Sequence, residues 1–216
     1  MPGERLAAAY PLLRHDRPEA VIAFRGRRPV TVARFLRDVA AVSALLPARR
    51  YVLNLCTDRY RFTVGLAAAL CREQISLLPP NDTPGVLRDL AADFAESYCL
   101  TDAAPPALPI PCLAYPERLD DAREMPAVPV IPAAQCALLL FTSGSTGRPK
   151  PQAKSWGALV RSALAAGERL GGSALARAVI VGTVPCVDLL VSATAPLSQA
   201  FAAEAEARFH APLLEI

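Results

Sequence analysis

The segment Phe141–Lys150 reads FTSGSTGRPK and combines hydroxyl side chains, two glycines and a lysine. Gly144 and Gly147 let the backbone bend and bring its amides close to a ligand, because neither residue has a Cβ atom. Such a loop suits an anion, and Lys150 adds a positive charge that can follow phosphate oxygens during transfer. The hydroxyl groups that add donors belong to Thr142, Ser143, Ser145 and Thr146.

Lysine is scarce in this chain, and both lysines lie at or just after this segment. Of 23 basic residues only Lys150 and Lys154 are lysines. A compact, flexible ammonium reaches a phosphate as a point charge, whereas arginine binds through a rigid fork. We therefore take Lys150 as the candidate catalytic residue. We expect Lys154 to be a solvated lysine where a helix begins.

The order of residues separates this loop from two other kinds of loop. A Walker loop needs two glycines separated by four residues and then Lys followed by Ser or Thr. Here Pro149 precedes Lys150 and Pro151 follows it. A serine hydrolase, the competing enzyme class, needs a Gly-x-Ser-x-Gly elbow and a histidine. The sequence has no such elbow, and its two histidines have no evident Asp or Cys partner.

The composition predicts a globular, cytoplasmic chain. Hydrophobic residues make up 53% of the 216 residues, and no apolar run approaches the roughly 20 residues that cross a bilayer. The net charge is +3 with basic residues spread along the chain, so nucleic acid is not an expected partner. The six cysteines show no close pair and no nearby histidine in the sequence, which predicts reduced thiols and no metal site.

Strand-like and helix-like segments alternate along the first hundred residues. Predicted strands cover residues 21–24, 51–55, 75–78 and 98–100. Thr31 and Thr83 are expected to cap the helices that follow them, and another helix is predicted over 59–72. Strands separated by helices predict an α/β fold with a mostly parallel sheet flanked by helices on both faces.

The second half of the chain begins with a proline-rich stretch over 101–134, predicted to be a surface connection with one short strand. A strand over 136–141, the loop 142–150 and a helix over 155–170 are expected to follow. Strands over 178–184 and 187–191, a helix over 197–209 and a strand from 213 complete the pattern. The predicted organisation is an N-terminal α/β subdomain (1–104), a connection (105–135) and an incomplete nucleotide-binding α/β segment (136–216).

The sequence TSGSTGRPK resembles the Ser/Thr/Gly-rich phosphate-binding motif of the adenylate-forming superfamily. This superfamily includes acyl-CoA and aryl-CoA synthetases, nonribosomal peptide adenylation domains and luciferases. A second segment, SATAPLS at Ser192–Ser198, is similar to the segment that these enzymes place beside the adenine ring. The resemblance implies part of the N-terminal domain of an adenylate-forming enzyme. In such enzymes a carboxylate attacks the α-phosphorus of ATP, and the thiol of coenzyme A or of an acyl carrier protein then takes the acyl group.

The resemblance also implies roles for individual residues. The loop would bind the ATP phosphates together with Mg²⁺, and Lys150 would be an electrostatic partner of the departing pyrophosphate. Pro196 would shape the turn at the adenine-side segment, although a plain strand-to-helix turn remains an alternative there. The residues implied to contact the phosphates are Thr142, Ser143, Gly144, Ser145, Thr146 and Gly147, and those implied to contact adenine are Ala193, Thr194 and Ala195.

Several segments typical of the superfamily have no counterpart in this sequence. They are a Tyr-Gly-x-Thr-Glu segment, a ribose-binding aspartate and a C-terminal domain with a catalytic lysine, and the stretch around Cys186 is shorter than in the family. We therefore expect a chain that binds ATP but does not complete the adenylation of a carboxylic acid alone. A non-catalytic nucleotide-binding remnant and one component of a split enzyme are the alternatives.

Overall fold

The computed structural model describes residues 8–15, 17–25, 28–119, 126–142, 150–169, 190–192 and 213–215. The chain divides into two compact units, one of residues 1–20 with 31–161 and one of residues 21–30 with 162–216. In chain order the described elements are β1 (Ala9–Pro11), β2 (Val21–Arg25), β3 (Arg28–Thr31), α1 (Val32–Leu45), β4 (Tyr51–Asn54), α2 (Arg59–Cys71), β5 (Ile75–Leu78), α3 (Pro84–Asp93), β6 (Ser97–Thr101), β7 (Cys112–Ala114), β8 (Val130–Pro132), β9 (Cys136–Thr142), β10 (Lys150–Ser155), α4 (Trp156–Arg169), β11 (Leu190–Ser192) and β12 (Leu213–Glu215).

The first unit is built on a six-stranded sheet with the strand order β10-β9-β5-β4-β6-β7. The pairs β9–β5, β5–β4, β4–β6 and β6–β7 are parallel, and only β10 is antiparallel to its neighbour β9. The chain goes from the central strand β4 to β5 on one side and then crosses to β6 on the other. The predicted α/β fold with a mostly parallel sheet is therefore confirmed.

Helices cover both faces of this sheet. Successive side chains of a strand point to opposite faces, so the neighbouring residues Leu53 and Asn54 of β4 contact different helices. On one face, the Asn54 Nδ2 atom donates a hydrogen bond of 2.8 Å to the Phe62 carbonyl oxygen of α2. On the other face, the buried side chains of Leu53 and Leu77 pack with Leu87 and other residues of α3. Both faces of the central strands are consequently removed from water, which stabilises the strands through apolar burial.

Helix α1 packs beside α2 through a buried polar contact. Thr31 is the N-cap of α1, and its hydroxyl accepts a hydrogen bond from the Arg34 backbone N–H at 3.2 Å, as its position in the sequence predicts. The Tyr60 hydroxyl donates to Asp38 Oδ2 at 2.7 Å, and Arg34 Nε lies 2.9 Å from the other carboxylate oxygen. Burial and the Asp38 carboxylate together raise the pKa of Tyr60. The charge of Asp38 is therefore compensated inside the helix pair.

Some predicted details differ from the structure. Thr83 occupies the N-cap position of α3, but its side chain makes no capping hydrogen bond; the hydroxyl contacts Asn81 Oδ1 at 2.7 Å instead. The described part of the proline-rich connection contains two short strands rather than one. Strand β7 extends the main sheet, and β8 pairs antiparallel with β1. Strand pairing of this kind joins residues far apart in sequence, so local periodicity carries little information about it.

The second unit contains two strand pairs among its described residues. Strand β2 pairs with β3, and β11 pairs in parallel with β12, with Leu190 opposite Leu213. The predicted strand over 178–184 and the predicted helix over 197–209 lie outside the described residues. Across the described parts of both units, no helix combines the length and apolar character needed to span a membrane.

The close approach of α2 to the sheet leads to a test with a matched control. A Cβ atom added at Gly65 would lie 2.8 Å from Asn54 Nδ2 and 2.8 Å from Leu100 Cδ2, whereas one added at Gly85 would meet nothing within 4 Å. We expect Gly65→Ala to lower the free energy of unfolding by about 1–3 kcal/mol through overpacking. Gly85→Ala should leave it unchanged or raise it by about 0.4–1 kcal/mol. Urea denaturation followed by circular dichroism measures both, and equal effects would contradict the packing described.

Candidate phosphate-binding site

The predicted phosphate loop connects the two strands of a hairpin. Strands β9 and β10 are antiparallel, and Lys150 pairs with Thr142 in the position next to the loop. The predicted helix over 155–170 is confirmed, because α4 spans Trp156–Arg169, but residues 150–155 form the strand β10, which the sequence interpretation did not include. Pairing with β9 satisfies the backbone of this polar segment, which has little strand propensity of its own.

The parallel sheet determines which edge the hairpin loop joins. Strand β9 runs parallel to β5, and β5 and β6 both run parallel to β4. Thr142, the last residue of β9, therefore lies at the same edge as the carboxyl ends of β4, β5 and β6. Lys150 lies at this edge as well, because it is the register partner of Thr142. In open α/β sheets, ligands bind outside the carboxyl ends of the strands.

The second lysine lies elsewhere on the same strand. Lys154 pairs with Leu138 in β9, so it belongs to β10 and not to the start of a helix as predicted. Its exposure agrees with the expected solvated lysine. The alternation of a strand places Lys150 and Lys154 on one face, at a separation of about 13 Å between their Cα atoms. Only Lys150 is at the mouth of the loop.

Hydrogen bonds anchor the base of the hairpin, at the end opposite the loop. The Gln135 carbonyl oxygen accepts from the Trp156 backbone N–H at 2.8 Å, and Gln135 Nε2 donates to the Leu70 carbonyl oxygen at the end of α2 at 2.7 Å. Trp156 Nε1 donates to the Tyr10 carbonyl oxygen at 3.3 Å. The Trp156 ring also packs against the cluster that contains Leu70 and Ile131. These contacts connect β9, α4, α2 and β1.

The loop end of β9 is held by apolar packing. The Phe141 side chain is 6% exposed and lies in the cluster with Leu53, Leu77 and residues of α3. The Phe94 ring meets Phe141 edge-on, with 5.8 Å between the ring centroids. Thr142 follows this buried residue directly. The first residue of the candidate site is therefore attached to the core of the unit.

A second polar cluster lies at the same sheet edge, where β4 and β6 end. The Asp102 carboxylate accepts hydrogen bonds from the Thr57 N–H at 2.7 Å, the Thr57 hydroxyl at 3.1 Å and the Asp58 N–H at 3.0 Å. The Asp102 side chain is 3% exposed, and Arg61 Nη1 lies 3.8 Å from its Oδ2 atom. Burial alone raises the pKa of Asp102, but these hydrogen bonds and the Arg61 charge outweigh it, so the pKa of Asp102 is below its ordinary value.

Strands β5 and β6 lie on opposite sides of β4, so the direction in which the chain adds strands reverses there. The Asp102 cluster lies at this switch point, where ligands commonly bind in α/β sheets. Here the amides before α2 are already occupied by Asp102, and Asp58 caps the helix by accepting from the Arg61 N–H at 2.9 Å. The protein itself supplies the anion at this position. The sequence interpretation missed the role of Asp102. The pair Thr57-Asp58 just before α2 is a recognisable cap signal, but nothing in the local sequence links it to Asp102.

The remaining predicted site residues are only partly described. Ser143–Gly147 and Ala193–Pro196 lie outside the described residues, so Thr142 and Lys150 are the predicted site residues that the structure places. Strand β11 ends at Ser192, directly before the predicted adenine-side residues. Among the described residues, no group of three or more His, Cys, Asp or Glu side chains could hold a metal ion.

Known structures share this fold. The chain is similar to VinN in its complex with L-aspartate, with 18% identity and a TM-score of 0.68 over 91% of this chain and 74% of VinN. It is similar to O-succinylbenzoate coenzyme A synthetase (MenE) from Bacillus subtilis in complex with AMP, with 18% identity and a TM-score of 0.59 over 92% of this chain. Apo MatB from Rhodopseudomonas palustris gives 15% identity and a TM-score of 0.67 over 94% of this chain.

These similarities show that the chain has the fold of the adenylate-forming enzymes, as the resemblance of the loop implied. The chain spans only 52% of the MenE chain and 57% of the MatB chain, so it corresponds to part of those enzymes. No protein-family model and no curated protein sequence matches it.

The buried carboxylate of Asp102 predicts a pH-dependent contribution to stability. We expect Asp102→Asn to lower the free energy of unfolding at neutral pH by about 1.5–3 kcal/mol, because hydrogen bonds to a charged acceptor are lost. The folded-state pKa is depressed, so this contribution is present above the unfolded-state value of about 3.9 and is lost as pH falls through the lower folded-state value. Urea denaturation from neutral to acidic pH should therefore show wild type and mutant converging in acid.

The matched control is Asp89→Asn, which removes a carboxylate from the exposed face of α3. It should change stability by less than about 0.5 kcal/mol. An effect of Asp102→Asn that is equally small, or that persists unchanged in acid, would contradict the role given to this carboxylate.

Proposed function

We propose that the chain binds ATP at the β9–β10 hairpin and that it belongs to an enzyme that activates a carboxylic acid as an acyl-adenylate. One observation carries the proposal. Lys150 faces Thr142 across the hairpin mouth at the carboxyl edge of the sheet, in the fold of the adenylate-forming enzymes. The two residues that flank the glycine-rich segment are thus together at the edge where α/β sheets bind ligands.

The hairpin restricts the loop in a way that favours phosphate binding. The Cα atoms of register partners in an antiparallel pair are about 4.5–5.5 Å apart, so Thr142 and Lys150, which flank the segment 143–149, lie close together. Gly144 and Gly147 have no Cβ atom, which would let backbone amides of this segment approach a bound anion. The proposed phosphate ligands are therefore the amides and hydroxyls of the loop, with Thr142 and Lys150 at its two ends.

The charge of Lys150 is available for a ligand. Its side chain is exposed, and none of the described acidic residues forms an ion pair with it. By contrast, Asp102 at the same edge is compensated by Arg61 and by backbone amides. An ammonium group that forms no ion pair with the described residues, at the end of the glycine-rich segment, would stabilise the negative charge that develops on the outer phosphates of ATP.

The proposed chemistry is the one that the resemblance to the adenylate-forming enzymes implies. ATP supplies the α-phosphorus that the substrate carboxylate attacks, and the loop and Lys150 hold the phosphate groups that leave as pyrophosphate. Mg²⁺ is proposed to bind with the ATP phosphates, because Mg²⁺ in nucleotide sites takes many of its ligands from substrate phosphate oxygens. Carboxylic acids named with related structures, such as L-aspartate in VinN, support this substrate class. Coenzyme A or an acyl carrier protein is the proposed acceptor of the acyl group. The expected cytoplasmic location agrees with ATP as the ligand.

The lysine pair provides a matched test of ATP binding. We expect saturating Mg-ATP to raise the melting temperature of the wild type, because a ligand at 100 times its Kd adds about 2.7 kcal/mol to the stability of the folded state. For a chain of this size this corresponds to roughly 5–10 °C. Lys150→Ala should lose most of the shift. Lys154→Ala should retain it, although it removes the same charge from the same strand.

Each other outcome has a defined meaning. If wild-type protein does not respond, or Lys154→Ala reduces the shift as much as Lys150→Ala, the hairpin mouth is not the phosphate site. Pyrophosphate exchange with a panel of carboxylic acids then tests the reaction itself. An ATP-dependent shift without exchange would indicate that this chain binds the nucleotide but requires another component, whereas exchange would show adenylation by the chain alone.

A further inference from the structure

Two cysteines that are distant in sequence are neighbours in the main sheet. Cys99 in β6 and Cys112 in β7 are register partners in adjacent parallel strands. Their side chains point to the same face, because register partners in a parallel pair share the pleat. Neighbouring strands are about 4.7–4.9 Å apart, and the Cα atoms of a disulfide are typically about 4.4–6.8 Å apart. Their spacing in the sequence shows no close pair, and only the pairing of β6 with β7 makes them neighbours.

The two thiols differ in their access to solvent. Cys99 is fully buried, whereas Cys112 is exposed on the strand at the edge of the sheet, and both are free thiols in the structure. Burial raises the pKa of the Cys99 thiol, and the neighbouring Cys112 adds to this effect. A soluble reagent can therefore reach Cys112 first, while Cys99 lies directly beside it.

We propose that Cys112 and Cys99 form a reversible disulfide that modifies the β7 edge of the sheet when the chain meets a low-molecular-weight disulfide. Strand β7 has only three residues and, among the described strands, pairs with β6 alone, so it can shift slightly towards β6 as the bond forms. The bond would tie the edge strand covalently to the core of the first unit. It would also close the proline-rich segment between the two cysteines into a loop.

The reaction proceeds in two exchange steps. The Cys112 thiolate attacks one sulfur of the small disulfide, forming a mixed disulfide and releasing one small thiolate. Cys99 loses its proton and attacks the Cys112 sulfur, which forms the protein disulfide and releases the second small thiolate. Two protein thiols are oxidised, the reagent is reduced to two thiols, and the two protons pass to the released thiolates. Because Cys99 must ionise, the second step should become faster as pH rises.

The test uses the whole chain and oxidised glutathione. After incubation, the protein is denatured in an alkylating reagent and analysed by intact and peptide mass spectrometry. We expect wild type to lose two of its six alkylatable thiols without a retained glutathione, and a linked peptide pair should contain Cys99 and Cys112. Dithiothreitol should restore both thiols. Cys136→Ser, which removes a half-buried cysteine from β9, should behave in the same way after allowance for its missing thiol.

Two variants separate the two steps. Cys112→Ser should prevent the reaction, and Cys99→Ala should stop it at a stable glutathione adduct on Cys112. A stable glutathione adduct on Cys112 of the wild type would overturn the proposal. A linked pair between Cys99 and Cys56, or six alkylated thiols after prolonged incubation, would overturn it as well.

Discussion

The parallel pairing of β5 with β9 is the constraint on which the candidate site depends. Leu77 pairs with Leu139, and Leu78 pairs with Leu140. A register shift of one residue would turn Phe141 away from its cluster and move the end of β9 along the sheet. The apolar packing of Phe141 therefore also determines where Thr142, and across from it Lys150, meet the loop. Core packing and the placement of the phosphate loop are consequences of the same pairing.

Two charged residues lie at the carboxyl edge of the sheet, Asp102 and Lys150, and they differ in whether neighbouring groups balance their charge. Asp102 is buried and satisfied by Thr57, Asp58 and Arg61, so it holds β4, β6 and the start of α2 together. Lys150 is exposed and lies beside a loop rich in potential donors. A compensated charge contributes to structure, while a charge at a sheet edge that no described residue compensates is available for an external partner. This contrast distinguishes the structural cluster from the candidate site more clearly than residue type does.

Much of the fold was predictable because local signals agreed with it. Strand β5 spans the predicted residues, and Thr31 caps α1 as expected. Strand β10 was missed because its polar sequence KPQAKS forms a strand only through pairing with β9. The glycine-rich loop was recognisable from residue types alone, whereas its position at a hairpin mouth required the sheet. The proximity of Cys99 to Cys112 had no local signal, because a proline-rich connection separates them.

Strand β10 ends the described sheet, and its composition affects how the protein meets other copies of itself. An exposed edge of backbone donors and acceptors can pair with a strand from another molecule. Pro151 has no N–H group to offer such a strand, and Lys150 and Lys154 would bring like charges together if two β10 edges met. The strand that positions the candidate phosphate ligand therefore carries residues that disfavour pairing of its own edge with a second copy.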